Sequence, residues 1–323
     1  MDARCGEFGT TAQTAAQAVG RSGRACAGLI LCLLLVSLPA MTVRAEYFGR
    51  NKVQYEDFDF KSVQTEHFKI YFYPRAEAVA RDAARMLERW HGRYAPVFGL
   101  DLGPDQPIVL YGNHPDFQQT NVIFGIVPQG VRGVTEGLKR RIVLPLTGSY
   151  LDNDHVLGHE LVHAFQYATL GESGGGLSRS ARLPLWFMEG MAEYLTRGPH
   201  YSQTAMWMRD AVVHDDVPSI GDLAGDPDYF PYRYGHAVWA FLAGIAGDEV
   251  CGRLMRNVVE QGWQRAFVGT FGVPLDSLSV AWRNDLRETH GAQIRDRTLP
   301  EEVGAPLIIG EGGTNLSPSL SPD

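Results

Sequence analysis

Two segments near the middle of the chain constrain its folding more than any other feature. One is "DNDHVLGHELVHAFQYAT", Asp152 to Thr169, and the other is "LPLWFMEGMAEYLT", Leu183 to Thr196. Both have helical spacing and a largely apolar surface, so both must be buried. Yet the first carries His159, Glu160 and His163, and the second carries Glu189 and Glu193. Ionisable groups on buried helices need partners, which narrows the folds that can accommodate them.

Residues four apart on a helix are offset by about 40° and about 6 Å along the axis, so His159 and His163 project from one face. Both imidazoles can then reach a single metal ion. Glu160 sits about 100° round from His159, a position from which a carboxylate can reach a metal-bound water without being a ligand. A catalytic zinc site needs a third protein ligand and an open fourth position. A third histidine six residues after His163 is excluded, because Thr169 stands there and Gln166 replaces the glycine of that pattern. Glu189 could close a His, His, Glu set. Glu193, one turn later on the same face, is placed to accept a hydrogen bond from a ligand imidazole and fix its aim. Asp152 or Asn153 can cap the first helix, and His155 lies one turn ahead of His159, either beside the ligands or exposed at the helix start. The competing interpretation is a buried helix with two incidental histidines.

Upstream, "TEHFKIYFYP" from Thr65 reads as a strand, followed by a helix through "AEAVARDAARMLERWHGRYAPVFG" that stops around Pro96 and Gly99. "QPIVLYG" is a second strand, "HPDFQQTN" a short helix or turn, and "GVTEGLKRRIVLPL" one or two extended segments. Helical periodicity returns at 185–195, 205–213, 234–246, 249–260 and 277–289. "GESGGGLSRS" reads as a flexible loop.

The first 45 residues form a unit of their own. Arg21 and Arg24 precede the apolar run "ACAGLILCLLLVSLPA", and Val43 and Ala45 are the small residues a signal peptidase reads, so cleavage is expected after Ala45. The run is short for a membrane span, although an uncleaved anchor is the alternative. The expected destination is the periplasm or the exterior. Three of the four cysteines lie in this leader, leaving Cys251 without an intramolecular partner. The leader has four basic and two acidic residues, so the remainder carries 25 Lys+Arg against 35 Asp+Glu, net −10. That balance disfavours nucleic acid and anionic membrane surfaces as partners. No transmembrane span is expected after the leader.

"HELVHAFQY" followed by "LPLWFMEGMAEYL" resembles the gluzincin metallopeptidases, the group that includes thermolysin and aminopeptidase N, and most closely bacterial peptidase-MA-like domains. The resemblance covers roughly Thr65 to Thr289 and implies an α+β, zincin (thermolysin-like) domain over 46–298. Such a domain has a strand-rich N-terminal subdomain, an active-site helix along the cleft floor and a helical C-terminal subdomain. It implies Zn2+ held by His159, His163 and Glu189, with Glu160 as the general base that activates water for attack on a peptide bond. "RRIVLPL" would be the edge strand against which an extended peptide or protein substrate lies. A further hydrogen-bond donor is implied from the helical half, with Tyr234 the first candidate and Tyr232 and His236 its rivals. "GVTEG" is similar in position to a motif whose glutamate binds the substrate's free amine in aminopeptidase N relatives, which would give Glu136 that role. The final "NLSPSLSPD" resembles the opening of a TolB-like β-propeller blade, so 299–323 reads as a linker or the start of a truncated propeller domain. A rival from another class is a catalytically idle zinc-binding scaffold; it leaves the retention of Glu160 without a reason.

Overall fold

The computed structural model describes residues 55–304, apart from 124, 126, 138 and 173–182. The chain divides into the units Met1–Lys52 and Val53–Asp323, and every described residue belongs to the second. The leader with its expected cleavage point, most of the glycine-rich loop and the propeller-like tail lie outside the described residues. Among the described residues, no helix is long and apolar enough to cross a membrane.

The chain begins with β1 (Lys61–Gln64) and β2 (Phe68–Phe72), an antiparallel pair. Helix α1 (Glu77–Phe98) follows, with Ala80, Ala83, Leu87, Trp90 and Tyr94 forming its buried stripe. It runs through Pro96 and stops at Gly99, whose φ of 64° is the left-handed conformation in which glycine ends helices. This helix is the crossover that lets β3 (Gln106–Tyr111) run parallel to β2. After the four-residue α2 (His114–Phe117) come β4 (Val134–Glu136) and β5 (Arg141–Pro145), an antiparallel pair in which Val134 faces Val143 and Glu136 faces Arg141.

The sheet order is β1-β2-β3-β5-β4, with β5 parallel to β3. This corrects the expectation that "RRIVLPL" forms the edge. Ile142, Val143 and Leu144 are all buried, as an unbroken apolar run in an interior strand should be, and the short, more polar β4 takes the edge instead.

Helix α3 (Tyr150–Glu172) packs against α1 and lies on β4 and β5. Its start is set by Ser149, whose Oγ accepts the Asp152 N–H at 3.2 Å, and not by Asp152 or Asn153. The Asn153 side chain instead folds back to accept from Thr147 N at 2.8 Å and donate to Thr147 O at 3.0 Å. The rest is helical: α4 (Leu185–Arg197), α5 (Ser202–Val213), α6 (Pro231–Ala246), α7 (Val250–Gln261), α8 (Trp263–Phe271), α9 (Leu275–Ile294) and the short α10 (Pro300–Val303). Helix α8 has no counterpart in the sequence reading; it is bounded by Gly262 and Gly272, both at positive φ.

Helices α4 and α6 approach closely in the helical half. A Cβ on Gly190 would lie 2.3 Å from the Gly235 carbonyl carbon, and one on Gly235 would lie 2.3 Å from Trp186 O, so the two backbones touch. Trp239 Nε1 adds a 2.8 Å hydrogen bond to Phe187 O across the same interface. Gly235→Ala should therefore destabilise the fold by about 1–3 kcal/mol. Gly244→Ala, on the same helix with nothing within 4 Å of the added carbon, should be neutral or stabilising by up to about 1 kcal/mol. Urea unfolding midpoints for the two variants check this, and equal midpoints would contradict the contact.

Candidate metal centre

Helices α3 and α4 pack together and bring their ionisable positions face to face. His159 Nε2 lies 3.2 Å from Glu189 Oε2, His163 Nε2 lies 3.3 Å from the same oxygen, and the two Nε2 atoms are 3.3 Å apart. A tetrahedral zinc ion with bonds of about 2.0–2.1 Å spaces its ligand atoms by about 3.3 Å along each edge. The two imidazole planes are at 82°, so both rings can aim a lone pair at one point without stacking. The residues present thus fit the metal that the sequence implies, with a carboxylate and two imidazoles on three corners.

A second layer fixes the aim of each ring. His163 Nδ1 meets Gln166 Oε1 at 2.8 Å, and Gln166 is itself anchored by donating to Met188 O at 3.0 Å. Because the amide oxygen accepts, the Nδ1 edge carries the proton and Nε2 is left as the lone pair. On the other ring, His159 Nδ1 stands 3.3 Å from Glu193 Oε1, at ion-pair distance but without good hydrogen-bond geometry. Glu193 is held on two further sides, by His155 Nε2 at 3.1 Å and by Arg233 Nη1 at 2.7 Å.

The electrostatics follow from this crowding. Burial works to pull His159 down, but its hydrogen bond to Glu189 and the close carboxylate of Glu193 outweigh it and raise the imidazole from 6.5 to about 10. His163 is raised as well, against its own burial, chiefly by the charge of Glu189. Burial works to raise both carboxylates, and the neighbouring histidines hold them well below the usual carboxylate range. His155 is lowered, because burial prevails over its contact with Glu193.

Glu160 faces a cavity of about 760 Å3 that His155, His159 and Glu193 also line. Thr135, on the edge strand, donates to Glu160 Oε2 at 2.7 Å and lies 2.9 Å from Glu160 O. Gly133 lies just before that strand, two residues ahead of Thr135, and a Cβ there would lie 2.8 Å from Glu160 Oε1. The glycine is therefore what allows the carboxylate to lie against the strand.

The donors named from the helical half separate clearly. Tyr232 lines the cavity, and its ring lies parallel to His159 at 12° with centroids 6.2 Å apart. Burial, then the charge of Glu189 beside it, push its phenol well above the ordinary range. Tyr234, the first candidate, packs instead against Trp207 and Tyr229, where burial and then Asp216 and Asp210 raise it to about 12. The reason is helical phase: α6 starts at Pro231, three residues earlier than the periodicity suggested, and positions two apart point about 200° away from each other. His236 is fully buried, with Nε2 2.9 Å from Gly198 O, and does not line this cavity.

Glu136 is likewise not brought to the site. It forms a two-contact ion pair with Arg141 across the β4–β5 ladder, at 2.7 and 2.8 Å. Strand alternation explains why: Gly133 and Thr135 face Glu160, so Glu136 faces the other way. Four residues at the centre escaped the sequence reading as site residues or were ranked below others: Thr135, Gln166, Tyr232 and Arg233. Only Gln166 had a local signal, lying three residues after His163 on the same helical face.

No family model and no curated protein sequence matches the chain. Among solved structures it is similar to a mutant M1 zinc metallopeptidase from Deinococcus radiodurans, at 15% identity over 75% of this chain and 53% of that one, with a TM-score of 0.36. It is also similar to a mutant two-domain M1 zinc metallopeptidase bound to L-arginine, at 13% identity over 70% of this chain and 51% of that one, with a TM-score of 0.34. The chain spans about half the length of these structures. Likeness of that size carries no functional argument.

Proposed function

We propose that this chain is a zinc-dependent peptidase of the gluzincin kind, exported by way of its leader. The observation that carries the proposal is the convergence of His159, His163 and Glu189 on one tetrahedral-sized gap beside a cavity that Glu160 faces. A zinc ion held by those three residues would supply Lewis-acid polarisation and lower the pKa of water. The chain's own groups do the rest. Glu160, held by the Thr135 hydroxyl, accepts the proton of the attacking water and passes it to the leaving amine. Tyr232, kept protonated by its surroundings, donates a hydrogen bond toward the oxygen that gains charge as the carbonyl is attacked. Glu193 and Gln166 keep the two imidazoles aimed. An extended peptide would pair with the free edge of β4, the strand that also presents Thr135 to Glu160.

The aminopeptidase version of this reading loses its amine-binding residue, because Glu136 is committed to Arg141 on the opposite face of the strand. The idle-scaffold alternative does not account for a carboxylate hydrogen-bonded in place beside a large cavity. The decisive experiment combines metal analysis of the purified protein with mass-spectrometric scoring of a peptide library, half of it N-acetylated. Cleavage of both halves, with about one zinc per chain, is expected. One zinc per chain with no cleavage would favour the scaffold.

Tyr232→Phe should lower kcat by roughly 10^2–10^3-fold with little change in KM, the usual loss for one oxyanion donor. Tyr234→Phe should leave kcat within about twofold, since its hydroxyl is turned away from the cavity. Steady-state kinetics on one cleaved peptide separates the two, and a reversed order would return the role to Tyr234.

A further inference from the structure

The cavity beside the metal centre has three arginines in its wall, Arg132, Arg197 and Arg233, and three carboxylates, Asp152, Glu160 and Glu193. Each carboxylate is already engaged. Glu193 is held by Arg233, His155 and His159, Glu160 accepts from Thr135, and Asp152 lies 3.8 Å from Arg132. Two of the arginines are thereby matched. Arg197, at the last turn of α4 and two turns on from Glu189, has no carboxylate partner among the described residues.

Its surroundings sharpen the imbalance. The Arg197 guanidinium carbon lies 4.6 Å from the Tyr201 ring centroid, and that of Arg233 lies 5.1 Å from the same ring, so two cations share one aromatic ring while only one has a carboxylate counter-ion. Arg197 Nε is buried and has no hydrogen-bond acceptor. A partly desolvated guanidinium with an empty donor fork favours an anion of matching shape, and a carboxylate offers two oxygens to that fork.

We propose that Arg197 is a specificity-determining residue that binds a carboxylate of the peptide substrate, making carboxylate-bearing peptides the preferred class; this rests on the peptidase reading of the site. The carboxylate comes either from an Asp or Glu side chain or from the peptide's C-terminus. Tyr201 positions the guanidinium, and Gln203, on the same wall, supplies a further polar contact.

The test uses the zinc-loaded full chain and three peptide sets of matched length: amidated peptides with one Asp or Glu, free-acid peptides without acidic side chains, and amidated neutral peptides. For wild type, kcat/KM on one of the two carboxylate-bearing sets should exceed that on the neutral set on the order of 10-fold, through KM, and which set it is identifies the source. In Arg197→Gln that ratio should fall to about one, and Arg197→Lys should retain part of it because charge remains while the fork is lost. A wild-type ratio near one, or an unchanged ratio in Arg197→Gln, overturns the proposal while Glu160-dependent cleavage leaves the peptidase reading standing. If no set is cleaved, that reading fails, and calorimetric binding of the same peptides still decides this one. Tighter binding of a carboxylate-bearing set, lost in Arg197→Gln, would support it, and equal binding of all three sets would overturn it.

Discussion

Glu160→Gln is expected to lower kcat/KM for peptide hydrolysis by roughly 10^2–10^4-fold, the range for losing a general base, while zinc stays near one equivalent per chain. Glutamine keeps the volume and can still meet the Thr135 hydroxyl, so neither the strand contact nor the metal set is disturbed. Only the capacity to accept a proton is removed. The measurement pairs kinetics with metal analysis of the same preparation. Unchanged hydrolysis with retained metal would show that another group takes the proton and would remove Glu160 from the mechanism.

The second large effect concerns the metal. Glu193→Gln should weaken zinc binding by about 10–100-fold through loss of ring orientation, and Glu189→Gln should weaken it by more than that, because a charged ligand is lost. Proton linkage gives an independent check. Without metal, His159 is held at about 10, so below that pH a proton must leave before its nitrogen can serve as a ligand. Zinc affinity should therefore rise with pH between about 7 and 10, with proton release visible by calorimetry in buffers of different ionisation enthalpy. The stability linkage has the opposite sign. In the metal-free protein the raised His159 contributes stability fully below its ordinary 6.5, and that contribution fades as pH climbs toward about 10. Zinc binding that releases no proton at pH 8 would contradict the coupling.

The parts of the centre that were legible in the sequence share a feature: they lie on one helix and repeat with its period. His159, Glu160 and His163 could be placed relative to one another before any folding was known, because helical geometry alone relates them. Glu189 and Glu193 were legible for a different reason, as charges on a segment too apolar to be exposed. Tyr232 and Tyr234 mark where this stops working. Choosing between them required knowing that residue 232 already lies on α6 and which face of that helix meets α4, and neither is set by the local pattern. Glu136 failed similarly, since the alternation of β4 and the cross-strand Arg141 decide its direction.

The sequence by itself determined the chemistry available to this protein: a histidine pair with a glutamate between them, two carboxylates on a second buried helix, and an apolar run that had to become a strand. Tertiary structure decided which groups meet. The glycine contact between α4 and α6 delivers Tyr232 and Arg233 to the candidate metal centre, and the placement of β4 at the sheet edge delivers Thr135 and Gly133 to Glu160. Those pairings join residues 25 to 73 positions apart. Local periodicity carries no information about them, because they depend on how close two backbones come and not on the pattern within either.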